Sequence, residues 1–275
     1  MRFYTEEDVQ DFGSVKFLYI KTSLSNHIFT ITLSRPEKRN AFTPTMAEEI
    51  IFALAYANYN NKVRCLIINA EGSVFCAGAD LNAFHDTSAN TKNSTLPAIR
   101  EEAKLGDAFN EVYKPTIAQV EGPVLAGGFL IICGCTFVFS VNDAVFSLPE
   151  VKRGIWPMQV MASLSRVISA RKILEMCITG KSYNAEEALE LGLLTHITET
   201  ESIKNEVQTM AAQIAQNAPY AIQQGMKAFQ KLKQIPESEK HSFLKAELDQ
   251  ILASEDAKEG VQAFKEKRSP NWKGR

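Results

Sequence analysis

The sequence lacks an excess of either charge, because 30 Lys and Arg residues nearly balance 32 Asp and Glu residues, for a net charge of −2 over 275 residues. A chain without a basic surplus is not expected to bind nucleic acid or an anionic membrane surface. The five cysteines lack the spacing of a disulfide or metal framework, and most lie in apolar runs. We interpret them as reduced core residues in a cytosolic setting, without a metal ion.

The sequence also lacks a recognisable targeting segment. Residues 1–15 are acidic and have no apolar core, unlike a secretion signal or a basic transit peptide. One uncharged stretch, residues 122–142, reaches the ~20 residues needed to cross a bilayer. Proline and glycine interrupt this stretch and its second half is rich in β-formers, so we interpret it as a buried core segment. We expect a soluble, cytoplasmic protein.

What the sequence does contain is a distinctive stretch at residues 116–150. Its pattern predicts a strand, a glycine turn, a buried helix, a second strand, a turn and a short third strand. The glycines at the turn, Gly127 and Gly128, would leave backbone N–H groups open at a helix start, where negative charge is favoured. Glu150 follows in an apolar neighbourhood. An anion site beside a lone, half-buried acid is the outline of an active site.

The rest of the chain predicts an α/β fold. Three times, β-rich runs and turns precede a helix, which favours a spiral of ββα units over residues 1–200. The predicted elements include a hairpin of strands 17–20 and 28–33 around a turn at 23–26, a buried strand at 63–69, and helices at 46–59, 99–113 and 170–179. Residues 201–275 are mostly helical, and we expect this C-terminal region to assemble subunits.

Six segments, in order from about Phe29 to Trp272, resemble the crotonase (enoyl-CoA hydratase/isomerase) superfamily. They are S-R-P-E-K-R-N-A-F, F-C-A-G-A-D-L, A-G-G-F-L, F-S-L-P-E-V-K-R-G-I-W-P, T-G-K-S-Y-N-A-E-E-A-L-E-L-G-L-L and E-G-V-Q-A-F-K-E-K-R-S-P-N-W. The resemblance implies a crotonase-like spiral with a helical C-terminal region for trimerisation. It also implies an acyl-CoA thioester as substrate, no cofactor besides the coenzyme A of that substrate, and a homotrimer or hexamer.

The resemblance places the two N–H donors of an oxyanion hole at Ala79 and Gly127. Converting a thioester to its enolate moves negative charge onto oxygen, and each preorganised donor in a comparable site is worth ~3–4 kcal/mol. Glycine beside these donors allows close backbone approach. The alternative is that both glycine turns only serve strand geometry.

The hydratases of the family carry two glutamates, of which the second aligns with Glu150 and the first with Leu130. Adding water requires a base and an acid, and leucine is neither. A single carboxylate can still move a proton between two carbons, so we predict an enoyl-CoA isomerase with Leu130 as a pocket wall. The alternatives are an enoyl-CoA hydratase that uses Glu150 with water held by other groups, and a catalytically inactive acyl-CoA-binding relative. A further alternative is that Glu150 has only a structural role, as a helix-start or turn carboxylate that pairs with Lys152 or Arg153.

The coenzyme A moiety requires cations near its phosphates. The resemblance assigns this role to Lys38 and to Lys267, the latter often reaching a neighbouring subunit in relatives. It places backbone contacts to adenine at Cys76 and Ala77. The alternative for both lysines is a solvated face.

Overall fold

The computed structural model describes residues 1–275, apart from the side chain of Thr87. Its strands are β1 (Ile20–Ser25), β2 (Ile28–Leu33), β3 (Cys65–Ala70), β4 (Thr116–Val120), β5 (Val124–Leu125), β6 (Phe137–Val141), β7 (Phe146–Ser147), β8 (Ser182–Tyr183) and β9 (His196–Thr198). Its helices are α1 (Pro44–Tyr59), α2 (Leu81–His85), α3 (Leu105–Asn110), α4 (Phe129–Ile132), α5 (Met158–Leu164), α6 (Ala170–Thr179), α7 (Ala185–Glu190), α8 (Ile203–Ala215), α9 (Pro219–Leu232), α10 (Lys240–Leu252) and α11 (Glu255–Glu266). The predicted α/β class is confirmed.

Two sheets organise the first part of the chain. The larger has the order β1-β2-β3-β4-β6-β9, and all its neighbours are parallel except β1 and β2. The smaller has the order β5-β7-β8. All residues of β4 are buried, as are the first four of β3, because both strands lie inside the larger sheet. The expectation of a buried strand near residues 63–69 is therefore confirmed, although the strand starts two residues later and ends one residue later.

The first hairpin differs from the prediction. Residues 17–20 were expected as the first strand, but β1 begins only at Ile20 and runs to Ser25, and the turn lies at Asn26 and His27. Both turn residues have positive φ, 48° and 67°. Two positive values give a turn whose twist matches the strands it joins. Residues 23–25, whose two serines indicated a turn, are exposed positions of this edge strand.

The helix expected at residues 99–113 is much shorter in the structure, where α3 spans Leu105–Asn110. The preceding segment is held by the N-terminal part of the chain instead. Arg100 N–H donates to the Phe3 carbonyl at 3.1 Å, and its guanidinium pairs with Asp8. Phe3 is fully buried. These long-range contacts prevail over the helical pattern of the segment.

Helix α1 begins as its sequence indicates. The Thr43 side chain accepts a hydrogen bond from Met46 N–H, and Pro44 occupies the first helical position. Most of the helix is buried against the sheet. Its first turn therefore has a fixed position next to the loop of residues 34–43, which lines the site described below.

The helices after residue 200 divide into two groups. Helix α8 packs on β2, β3, β4 and β6, whereas α9 contacts α10 and α11. The domain boundary at residue 200 stays a prediction, although α8 is packed as part of the sheet layer. Of the described helices, none combines the length and the hydrophobicity that crossing a bilayer requires.

Candidate active site

Two loops that are distant in sequence meet at the candidate site. Leu125 N–H donates to the Cys76 carbonyl at 2.9 Å, and Cys76 forms a parallel bridge with Val124. This pairing brings the segment after Cys76 beside the 3-10 helix Ala126–Gly128. A Cβ built on Gly127 would lie 3.3 Å from the Ala79 nitrogen, so the two predicted donor peptides are adjacent.

The local backbone leaves the N–H groups of Ala79 and Gly127 available. Phe42 N–H donates to Gly78 O and Asp80 N–H donates to Phe42 O, both at 2.9 Å. Because consecutive N–H groups of an extended chain point to opposite sides, the Ala79 N–H is directed away from Phe42. Gly127 is in the first turn of its 3-10 helix, where an N–H group has no acceptor within the helix.

Glycine is required at position 78. Its φ is +96°, and a Cβ there would lie 2.7 Å from the Ala126 Cβ and 2.9 Å from the Gly127 nitrogen. Ala126 itself has a φ of 50°, a left-handed conformation that costs an alanine roughly 1–2 kcal/mol. The backbone of both loops is thus held in unusual conformations where the donors meet.

Glu150 lies in the 3-10 helix Pro149–Arg153 and is 8% exposed. Among the described residues its Oε2 has no hydrogen-bond partner. Burial raises the pKa of the Glu150 carboxyl above its usual value, while its own peptide N–H and the charge of Arg153 act in the opposite direction. A buried carboxyl with one unpartnered oxygen and a raised pKa is suited to accept and return a proton.

The smaller sheet positions Glu150 relative to the donors. Strands β5 and β7 are parallel, with Leu125 paired to Ser147. Gly127 follows the end of β5 and Glu150 follows the end of β7, so both lie beyond the carboxyl edge of this sheet. Ligand sites commonly form at this edge of parallel strands.

Leu130 is buried in α4, one turn after Gly127. Its Cδ2 atom would lie 3.5 Å from a Cβ on Gly106, whose other near neighbour is the Ser163 hydroxyl. The side chain therefore faces α3 and α5 and presents an apolar surface.

A cationic cleft of about 590 Å³ leads to Ala79. Its lining includes Arg35, Lys38, Arg39, Ala79 and Arg153, together with Asp80, Leu81 and Asn82. Lys38 thus shares a cleft with one of the two predicted donors. Arg39 and Arg153 add positive charge that suits phosphate groups.

The ion pair of Arg35 and Asp80 was not anticipated from the sequence. Arg35 is 9% exposed and donates from Nη1 to Asp80 Oδ2 at 2.8 Å and to Ala41 O at 2.7 Å. Asp80 also caps α2, because its side chain accepts a hydrogen bond from Ala83 N–H. This pair connects the loop of residues 34–43 to the residue next to Ala79.

The remaining predicted contacts lie at different distances from the cleft. Cys76 is fully buried, and Ala77 N–H donates to Arg39 O at 3.0 Å, so both residues lie beside the loop of residues 34–43. Lys267 follows the end of α11 with a φ of 54°, and it does not line the cleft among the described residues. Its proposed contact with phosphate stays a prediction.

Comparison with known proteins relates this geometry to a family. A sequence model described as enoyl-CoA hydratase/isomerase matches residues 23–275. The chain is 32% identical over 254 residues to mevalonyl-coenzyme A hydratase of Aspergillus fumigatus, covering 90% of this chain and 92% of that protein. It is also 32% identical to carnitinyl-CoA dehydratase of Escherichia coli O157:H7, over 90% of this chain and 95% of that protein. A crystal structure of enoyl-CoA hydratase from Mycobacterium tuberculosis H37Rv superposes with a TM-score of 0.81 at 28% identity, over 94% of this chain and 99% of that one.

Proposed function

Because the chain belongs to the enoyl-CoA hydratase/isomerase family, we propose that it is an enoyl-CoA isomerase that moves a double bond through a thioester enolate. The crotonase-like fold and the membership in a family of acyl-CoA enzymes are the premise. The observation that carries the proposal is the single buried carboxyl of Glu150, together with a leucine at position 130. Glu150 is a buried carboxyl, and the resemblance to the hydratases aligns their first glutamate with the buried side chain of Leu130.

The first step is removal of a proton from C2 of a 3-enoyl-CoA by the Glu150 carboxylate. The C–H bonding electrons move into the thioester and form a dienolate. Its oxygen accepts hydrogen bonds from the N–H groups of Ala79 and Gly127, which stabilise the charge as it develops. Glu150 is neutral at the end of this step, and burial favours the neutral form.

The second step returns the same proton to C4. The dienolate electrons form the C2–C3 double bond, the thioester carbonyl is restored, and Glu150 becomes a carboxylate again. Atoms and charges balance without water or a separate cofactor. A single buried carboxyl suffices, because the acid of the second step is the base of the first.

The cationic cleft supports a coenzyme A ester as the substrate. Lys38, Arg39 and Arg153 line the approach to Ala79, so the phosphates and the thioester can be held by one continuous cleft. The binding free energy of the nucleotide portion can then position the thioester at the donors.

Hydration of a 2-enoyl-CoA is the second candidate, and the relatives favour it. Mevalonyl-coenzyme A hydratase and carnitinyl-CoA dehydratase carry names of enzymes that add or remove water. In this chain such a reaction would use Glu150 together with a water held by groups other than a second glutamate.

We also propose a homotrimer or hexamer and a cytoplasmic setting. Exposed leucines on α10 support assembly, since they form an apolar stripe at positions 244, 248 and 252. The five cysteines are free thiols, which supports a reducing compartment.

A paired assay tests the proposal. The purified protein is incubated with a 3-enoyl-CoA and, separately, with a 2-enoyl-CoA, and both the conjugated thioester absorbance and the products are followed. The isomerase proposal predicts that the 3-enoyl substrate becomes conjugated without a hydroxyacyl product. Efficient hydration of the 2-enoyl substrate would favour the second candidate, and binding of CoA esters without turnover would indicate an inactive relative.

A further inference from the structure

A second cavity, of about 620 Å³, lies between α9 and the amino ends of β4 and β6. We call it the α9 cavity. On the core side it is lined by residues at the ends of α3 and α4 and at the start of β6, and on the other side by α9 and the residue Lys233 just beyond that helix.

The α9 cavity is separate from the proposed active site. It begins where α4 ends, at residues 132–135, whereas Gly127 precedes the start of that helix. No described residue lines both this cavity and the cationic cleft. The α9 cavity is lined by none of the proposed site residues Ala79, Gly127, Leu130 and Glu150.

The walls of the α9 cavity are mainly apolar. Helix α9 contributes a stripe at four-residue spacing, Ala221, Gly225 and Phe229, which continues to Lys233 just beyond the helix. The core contributes Val138 and Leu193, both buried. Such walls suit an aliphatic chain, because burial of each methylene removes apolar surface from water.

The charges around the α9 cavity have one sign. Three cations and no described carboxylate line it, although the chain as a whole is slightly acidic. Lys114 is buried and already committed, since its Nζ donates to Ala57 O and Asn60 O, both at 2.7 Å. Arg166 and Lys233 are exposed at the rim and have no ion-pair partner among the described residues. They remain available for an anion.

We propose that the α9 cavity binds a free aliphatic carboxylate, with its chain between α9 and the core and its carboxylate at Arg166 and Lys233. The volume of the cavity falls within the ~300–1,000 Å³ typical of small-molecule sites. The charge complementarity decides in favour of a monoanion over a neutral chain.

Gly225 allows a direct test, because a Cβ at this position meets no heavy atom within 4 Å and the residue lines the cavity. Gly225→Phe would place a ring in the path of the chain, and phenylalanine has a higher helix propensity than glycine. Gln224→Phe places the same ring one position away, outside the lining residues, as a matched control. Titration calorimetry with decanoate is expected to detect binding to the wild type and the control and no binding to Gly225→Phe.

A second variant tests the charges independently of the cavity shape. Arg166→Gln combined with Lys233→Gln is expected to weaken the binding of decanoate roughly fivefold and to leave the binding of 1-decanol unchanged. Absence of decanoate binding to the wild type would overturn the proposal. Binding of decanoate to Gly225→Phe as tightly as to the wild type would also overturn the proposal, by showing that decanoate binds at a different site. Loss of the wild-type oligomeric mass in Gly225→Phe would overturn it as well, by showing that this face is a contact between copies of the chain.

Discussion

At the scale of the residue, Glu150 combines burial with the absence of a partner for one carboxyl oxygen within the described chain. Such a group destabilises the folded state when it is ionised, because desolvation disfavours the charge. The same desolvation makes the carboxylate a stronger base than one in water. The proposed proton transfer depends on this gain in basicity, which is obtained at a cost in the stability of the folded state.

Glu150→Gln is expected to lower kcat for isomerisation by about 10²–10⁴-fold, since the amide cannot shuttle a proton. In the wild type, kcat/KM should rise with pH through the pKa of Glu150, which burial places above the usual value for glutamate. The measurement is a pH–rate profile. An unchanged rate in Glu150→Gln would assign the chemistry to another residue.

The raised pKa of Glu150 also predicts how stability depends on pH. The folded state holds this proton more tightly than the unfolded state, so the stabilisation is complete below the unfolded pKa and is lost as pH rises through the folded pKa. Denaturant unfolding should therefore show the wild type losing stability relative to Glu150→Gln as pH increases. A difference that is constant with pH would contradict the assigned shift.

Gly78→Ala is expected to reduce kcat by about 10²-fold, the effect of losing one oxyanion donor. The added Cβ would come within 2.7 Å of the Ala126 Cβ and 2.9 Å of the Gly127 nitrogen, and would force the two loops apart. Gly274→Ala is the control, because Gly274 also has positive φ, 76°, but is near only the Pro219 side chain, at 3.8 Å. Equal activity of the two variants would show that the approach of the loops is unimportant for turnover.

Much of the candidate site could be predicted because its residues lie in short local motifs. Glu150, Leu130 and the two glycine turns are visible in consecutive letters of the sequence. The pair of Arg35 and Asp80 could not be predicted in this way, because 45 positions separate its members and only the fold brings them together. The same holds for Arg153 in the cationic cleft.

At the scale of the element, the sequence predicts helices well where local signals agree with packing. Helix α6 spans Ala170–Thr179 as expected, and α7 begins at a capping box of Asn184 and Glu187. The prediction fails for residues 99–104, because the contact of Arg100 with Phe3 and Asp8 depends on a segment more than 90 positions away.

A buried carboxylate is one of the groups that hold the C-terminal tail, beside the hydrogen bonds of Asn271 and Trp272. Asp256, which is 1% exposed, accepts from Lys273 N–H at 2.7 Å and from Gly274 N–H at 3.1 Å. Asp256→Ala is expected to lower the free energy of unfolding by about 2 kcal/mol or more, since hydrogen bonds to a charged group are worth roughly 1.5–3 kcal/mol. Glu255→Ala, which removes an exposed pair with Arg275, should cost less than about 1 kcal/mol. Equal denaturation curves for the two variants would contradict this role of Asp256.

At the scale of the whole molecule, the last helices present apolar surface to solvent. Leu248 of α10 is 51% exposed, and Leu244 and Leu252 lie one turn before and after it. A continuous apolar stripe of this kind marks a contact surface. It supports the proposed assembly through the C-terminal region, which the sequence alone indicated only as a run of amphipathic helices.

Leu248→Lys is expected to shift the particle mass from the proposed trimer or hexamer towards the 30.6 kDa of one chain, because a charge would be buried in the contact. Gln250→Lys, at an exposed position outside the leucine stripe, should leave the mass unchanged. Light scattering measures both. A wild type that is already a monomer, or an unchanged mass in Leu248→Lys, would argue against this surface as the contact.

The central claim is that one carboxyl moves one proton across an enolate held by Ala79 and Gly127. The most direct measurement is nuclear magnetic resonance of the product formed from a 3-enoyl-CoA that carries deuterium at C2, in ordinary water. Because Glu150 is buried, the proposal predicts a conjugated product with deuterium transferred to C4. A hydroxyacyl product, or a conjugated product with only solvent hydrogen added at C4, would contradict it.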